Sequence, residues 1–208
     1  MISAAVAISR EIRLFRGDQV LCIDTASGNK VTYDGQTTKH GTFAQVPPKF
    51  ANGIDGAHFI GAELRLFRGG RLVIVDVSQA NKVTYNGTVT GHGTYAQVPT
   101  DFAQDIDDVI NIGNDVRIFK GDRLVIVDYS QGNKITYDGP IVKHGTFAQL
   151  PAGFSGDFDA VHTIGNEVRI FKGDRLVIVD YSQGNKITYD GPIIKHATYL
   201  NVPSNWVS

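Results

Sequence analysis

The chain has 208 residues, 20 basic against 21 acidic side chains, a formal net charge of −1 and 42% apolar residues. That balance excludes the basic footprint of a nucleic-acid binder, and the apolar share excludes a wholly disordered chain. No apolar run approaches the roughly 18 residues of a membrane span, and the single cysteine, Cys22, excludes an internal disulfide or a zinc cage built of cysteines.

Residues 1–10 show neither a basic leader nor a long apolar centre. With one free thiol, this leads to the expectation of a reducing, cytoplasmic compartment. The 23 glycines announce many turns.

The sequence is one unit written four times. Arg13-Leu14-Phe15-Arg16-Gly17 returns as Arg65-Leu66-Phe67-Arg68-Gly69, Arg117-Ile118-Phe119-Lys120-Gly121 and Arg169-Ile170-Phe171-Lys172-Gly173, each step 52 residues long. Residues 113–147 and 165–199 are identical at 31 of 35 positions. The repeats run approximately over 1–52, 53–104, 105–156 and 157–208, and together form one expected domain of 1–208.

Taken in chain order through the third repeat, a short apolar segment at 107–111 opens the unit. A strand at 116–119 follows, and a hairpin connection at 120–123 leads to the β-branched run 124–128. A further strand at 134–137 meets Asp138-Gly139, read as a turn. Residues 148–151 are placed to close a short helical turn before the next unit. Each repeat therefore carries three or four short strands and no long helix. Four small antiparallel sheets cannot each bury both faces alone. Packing them radially about an axis lets each cover its neighbours. The fold class is all-β, a four-bladed β-propeller.

An Ile-Asp-Gly-Ala or Phe-Asp-Ala-Val segment, then Arg-x-Phe-(Lys/Arg)-Gly-Asp, a strand ending in Asp, and a later Pro-x-x-Phe segment together resemble the hemopexin-like repeat. The resemblance covers all 208 residues. It is strongest to small single-domain members, among them seed albumins and a fungal representative from oyster mushroom. It implies a four-bladed propeller around a central tunnel and a non-enzymatic binding role. It also implies that inner-strand carbonyls hold a divalent or channel ion, of the calcium or the zinc and nickel class. Mapped by register, those carbonyls belong to Ala4, Gly56, Asp108 and Ala160, after strand starts at Ser3, Asp55, Asp107 and Asp159. Two features depart from the family. The third strand is aliphatic where aromatics are usual, and Cys22 has no partner for a disulfide joining first and last blades. With one domain and no linker, haem binding does not carry over, and no haem is expected.

Three residues into the same strand stand Val6, His58, Ile110 and His162. The two histidines belong to opposite blades, so imidazoles facing the axis would assist a transition-metal ion; facing between blades, they are core residues. The other histidines, His40, His92, His144 and His196, repeat strictly. With Tyr33, Tyr85, Tyr137 and Tyr189, and with Asp34, Asn86, Asp138 and Asp190, they make an alternative site, one sugar-binding pocket per blade near the rim. A structural role, pinning one turn in each blade, accounts for the same pattern. Arg16-Gly17-Asp18 is one copy of a hairpin turn, and Cys22 reads as a buried small hydrophobe. No phosphate-binding glycine loop or helical His-Glu-x-x-His is present, and no unique acid–base set stands out, so no enzyme is expected. Expected partners are a metal ion, a glycan under the alternative, and a second copy in a homodimer.

Overall fold

The structure is a computed structural model, and it describes residues 1–207. Each repeat folds into its own four-stranded antiparallel sheet, with strands in chain order from the axis outward. The first sheet holds Ala4–Ile8 (β1), Glu11–Arg16 (β2), Gln19–Asp24 (β3) and Lys30–Gln36 (β4), and the second Gly56–Ile60 (β5), Glu63–Arg68 (β6), Arg71–Asp76 (β7) and Lys82–Thr88 (β8). The third holds Asp108–Ile112 (β9), Asp115–Lys120 (β10), Arg123–Asp128 (β11) and Lys134–Pro140 (β12), and the fourth Ala160–Ile164 (β13), Glu167–Lys172 (β14), Arg175–Asp180 (β15) and Lys186–Pro192 (β16). The inner strands touch in a closed ring, β1 to β5, β5 to β9, β9 to β13 and β13 back to β1. This is the four-bladed propeller.

Alternation explains the aliphatic third strand. Successive side chains of β11 leave opposite faces of the sheet. Leu124 and Ile126 enter the core shared with the fourth blade, and Val125 and Val127 the core shared with the second. All four are buried, each worth about 1.5–3 kcal/mol relative to exposure. The outermost strand covers one core only, so burial in β12 alternates residue by residue.

Two local expectations are corrected. Asp138-Gly139 is not a turn but lies inside β12, paired with Val125 and Leu124. The ring of Tyr137 folds over the glycine, and a Cβ there would sit 3.1 Å from Tyr137 Oη, close enough that the ring would have to give by a few tenths of an ångström. The helical turns fall not on 148–151 but on either side, at Gly145–Phe147 and Ala152–Phe154. Among the described residues every helical element is a single 3₁₀ turn, so no helix is long and apolar enough to cross a membrane. Asp24, Asp76, Asp128 and Asp180 end the third strands and cap such turns, each accepting the N–H two residues on at 2.8–2.9 Å.

Closure is noncovalent. Trp206, fully buried, fills the core between the last blade and the first, where Phe50, Phe102 and Phe154 stand in the other repeats. Its Nε1–H donates to Asp34 at 3.3 Å, and the Arg16 guanidinium lies 4.8 Å over its ring. Asn29 and Asn201 add side-chain bonds to the carbonyls of Ala197 and Asn29 across the same seam.

Candidate functional site

The axis collects the chemistry. Ser3, Asp55, Asp107 and Asp159 precede the four inner strands at one register, and with Asp105 they line a cavity of about 400 Å³ at one mouth of the tunnel. Each aspartate is pinned by the hairpin of its own blade. Gly69, Gly121 and Gly173 donate their N–H to Oδ2 of Asp55, Asp107 and Asp159 at 2.7, 2.6 and 2.5 Å. Among the described residues no hydrogen bond engages the other carboxylate oxygen of the three. Burial raises the pKa of Asp107, and the nearby charge of Asp157 adds to the rise against the Gly121 N–H and Lys120.

One residue inward the tunnel is stoppered by a side chain. Asp108 is fully buried; its Oδ1 accepts the N–H of Ala57 at 3.1 Å and of Val109 at 2.7 Å, and its Oδ2 accepts the N–H of Val161. One carboxylate thus ties the inner strands of three blades together. Burial holds its pKa well above the usual carboxylate range, against the pull of those amides. The strands come close enough here that a Cβ on Gly56 would stand 3.0 Å from Cα of Asp108. These contacts correct the expected carbonyl ring. In a trans peptide the C=O opposes the N–H, so amides 57, 109 and 161 that face the axis turn the carbonyls of Gly56, Asp108 and Ala160 away from it. Ala4 holds the equivalent position in the first blade.

Beyond Asp108 lies a chamber of about 120 Å³, lined by residues that include His58, Asn111, His162 and Thr163. Here the expected transition-metal pair is also corrected. His58 Nε2 lies 2.6 Å from Tyr95 Oη, and His162 Nε2 lies 2.8 Å from Tyr199 Oη. Each hydroxyl also accepts from a buried arginine, Arg65 at 3.2 Å and Arg169 at 3.3 Å. The phenol proton therefore goes to Nε2, and the neutral ring carries its own proton on Nδ1. Both rings stack on phenylalanines, Phe67 and Phe171. Burial, helped by the neighbouring arginine, pushes His58 well below its usual pKa and His162 down to about 3. Nε2 of each ring is taken up by a tyrosine and Nδ1 is buried with no hydrogen-bond partner, so a metal would have to displace the tyrosine or the ring's own proton to bind here. Their occurrence in opposite blades follows the tyrosine: Tyr95 and Tyr199 pair with His58 and His162, whereas Phe43 and Phe147 accompany Val6 and Ile110.

At the rim the structure brings each tyrosine and histidine together. Tyr33–His40, Tyr85–His92, Tyr137–His144 and Tyr189–His196 meet edge to face, with centroids 4.9–5.0 Å apart. The tyrosine hydroxyls and the histidine Nδ1 atoms are engaged inside the blade. Each tyrosine hydroxyl donates to the carbonyl three residues on at 2.7–2.9 Å. Each histidine Nδ1 accepts a backbone N–H at 3.3 Å, capping a 3₁₀ turn. Burial first, and a buried arginine second, lower all four imidazole pKa values. The accompanying residues are occupied too. Asp138 and Asp190 pair with Arg123 and Arg175, Asn86 accepts from Arg71, and Asp34 accepts from Trp206. An apolar cleft of about 460 Å³ at the closing seam, lined by Met1, Pro192, Ile194 and Val207, offers one carboxylate, Asp174.

No family model matches the sequence, and no curated protein matches it. Solved structures do. The hemopexin fold protein CP4 from cow pea is 21% identical, covers 96% of each chain and has a TM-score of 0.78. The seed albumin LS24 from Lathyrus sativus is 22% identical, covers 100% of this chain and 97% of its own, and has a TM-score of 0.79. A plant lectin with two metal-binding sites from Cicer arietinum is 21% identical over 98% of this chain and 99% of its own, with a TM-score of 0.77. At these identities the likeness establishes the fold.

Proposed function

From a hemopexin-fold propeller as premise, we propose that this is a non-enzymatic binding protein that takes a hard divalent cation of the calcium class at the acidic mouth of its tunnel. The carrying observation is the set Asp55, Asp107 and Asp159, three carboxylates fixed by hairpin N–H groups and each with an oxygen left over. Calcium takes six to eight oxygens at about 2.3–2.6 Å. Among the described residues no three carboxylates of the mouth bring oxygens within 4.8 Å of one another, so the proposed ion is held in part through bound water, with Asp105 and backbone carbonyls at the mouth as further oxygens. Near-identical residues in every blade leave no distinct nucleophile and base, which favours binding over catalysis. The fold relative described as a lectin with two metal-binding sites supports the same class of function. Calorimetric titration of EDTA-treated protein with Ca²⁺ tests it. The variant Asp55→Asn/Asp107→Asn/Asp159→Asn keeps an acceptor for each glycine N–H and is expected to lose the binding heat. Unchanged binding in that variant rejects the mouth as the site.

A second reading, a multivalent carbohydrate binder, is favoured by the fourfold display of tyrosine–histidine pairs. A broad glycan array that stays silent removes it.

A further inference from the structure

The first blade differs from the other three at one buried position. Cys22 stands where Ile74, Ile126 and Ile178 stand. In the first, second and fourth repeats the same fold places a glutamate from the second strand and an imidazole from the loop after the fourth strand near this spot. The charge of Glu11 is felt by His40, that of Glu63 by His92, and that of Glu167 by His196. Only in the first blade is a third ligand type added between them.

The geometry is that of a coordination sphere. Cys22 Sγ lies 3.7 Å from His40 Nε2, and these atoms and a Glu11 carboxylate oxygen all fall within 4.8 Å of one another. A tetrahedral zinc with bonds of about 2.3 Å to sulfur and about 2.0–2.1 Å to nitrogen has an S···N edge of about 3.6 Å. Cysteine and histidine are thus already at ligand spacing. Glu11 binds Arg13 Nε through Oε1 alone, which leaves Oε2 for an ion. Glu11 and His40 are partly exposed and give a path to solvent, with the buried thiol beneath.

We propose that Glu11, Cys22 and His40 form a three-ligand site for a divalent transition metal of the zinc class, with the fourth position open to water. The site is separate from the oxygen-lined tunnel mouth and does not depend on it. Without metal, burial, the Glu11 charge and a hydrogen bond to that carboxylate push the Cys22 thiol up to about 12, so the sulfur carries its proton. Loading breaks the S–H bond, forms the metal–sulfur bond and sends one proton to solvent. The neutral imidazole moves its proton from Nε2 to Nδ1 and gives up the 3.3 Å cap contact from the Thr42 N–H. Removing the proton from the raised thiol costs more than losing that contact, so binding is expected to tighten as pH rises.

The test is titration of the full chain with Co²⁺, followed by absorbance. The site predicts one equivalent bound, a thiolate-to-cobalt charge-transfer band in the near ultraviolet, intense visible bands of four-coordinate cobalt, and loss of both on adding Zn²⁺. Cys22→Ile installs the residue found in the other three blades and is expected to fold normally while losing the bands. His40→Asn keeps a good capping side chain and is expected to weaken binding by more than the roughly 10–100-fold that outer-sphere changes bring. Cobalt bound without the thiolate band, or bound equally by Cys22→Ile, overturns the site. Because neither variant touches an aspartate of the mouth, Ca²⁺ binding is expected to survive in both, so failure of one site is distinguishable from failure of the other.

Discussion

The paired substitution of His162 and Tyr199 isolates one polar device inside the core. Tyr199→Phe removes the O–H that donates to His162 Nε2 and the oxygen that accepts from Arg169, which keeps Thr198 and Glu167 as partners. An orphaned buried acceptor costs about 1–3 kcal/mol, so roughly 2 kcal/mol is expected, or about 4–8 °C in Tm for a chain of this size. His162→Ile alone strands the hydroxyl proton and costs a similar amount. The double variant rebuilds the pair found in the third blade, Ile110 with Phe147, and is expected to lie within about 1 kcal/mol of the parent. The cycle then gives a favourable coupling of about 3–4 kcal/mol. A pH signature accompanies it. His162 is held down to about 3 in the folded chain against about 6.5 unfolded. The folded state therefore binds fewer protons, and this contribution is full above pH 6.5 and drains away as pH falls toward 3. At about 1.36 kcal/mol per pH unit, the parent loses a few kcal/mol relative to the double variant between pH 6.5 and 4. Urea unfolding followed through Trp206, the single tryptophan, measures both. Singles that simply add in the double variant, or identical pH profiles for parent and double variant, refute the pairing.

Two further predictions concern the axis and the seam. Asp108→Ala strands three buried N–H groups from three blades, partly offset by loss of a buried charge, and is expected to destabilise by about 3 kcal/mol; a loss below about 1 kcal/mol in denaturant unfolding means the carboxylate does not tie the strands. Trp206→Ala empties the closing core and should remove about 3–5 kcal/mol, whereas Trp206→Phe, the residue type at positions 50, 102 and 154, should lose about 1 kcal/mol; equal losses in thermal unfolding contradict a seam closed by the ring.

The propeller was legible because its period is regular: every Arg-x-Phe hairpin falls 52 residues from the last, and repetition multiplies a weak strand signal fourfold. Backbone direction was not legible. Whether Gly56 or Ala57 turns its polar group to the axis depends on the register of β5 against β6, which no side chain encodes. Asp108 stood out as a unique polar residue, but its role needs three strands converging from positions about 52 apart. The signal for His58 and His162 was present in the sequence. Phenylalanine and tyrosine alternate at 43, 95, 147 and 199 in step with valine, histidine, isoleucine and histidine at 6, 58, 110 and 162. Reading it required knowing that residues 37 apart share one core. The rim pairs were found as residue sets, yet their hydrogen bonds point inward, a property of turn geometry more than of composition.

The central claim is that the acidic mouth holds a hard divalent ion, and native mass spectrometry with elemental analysis on untagged protein tests it most directly. One calcium-class ion per chain, removed by EDTA, restored by Ca²⁺ and absent from the Asp55→Asn/Asp107→Asn/Asp159→Asn variant, is the predicted result. A chain that retains no ion and takes up none in excess Ca²⁺ contradicts it, and leaves Asp55, Asp107 and Asp159 as anchors of their hairpins alone.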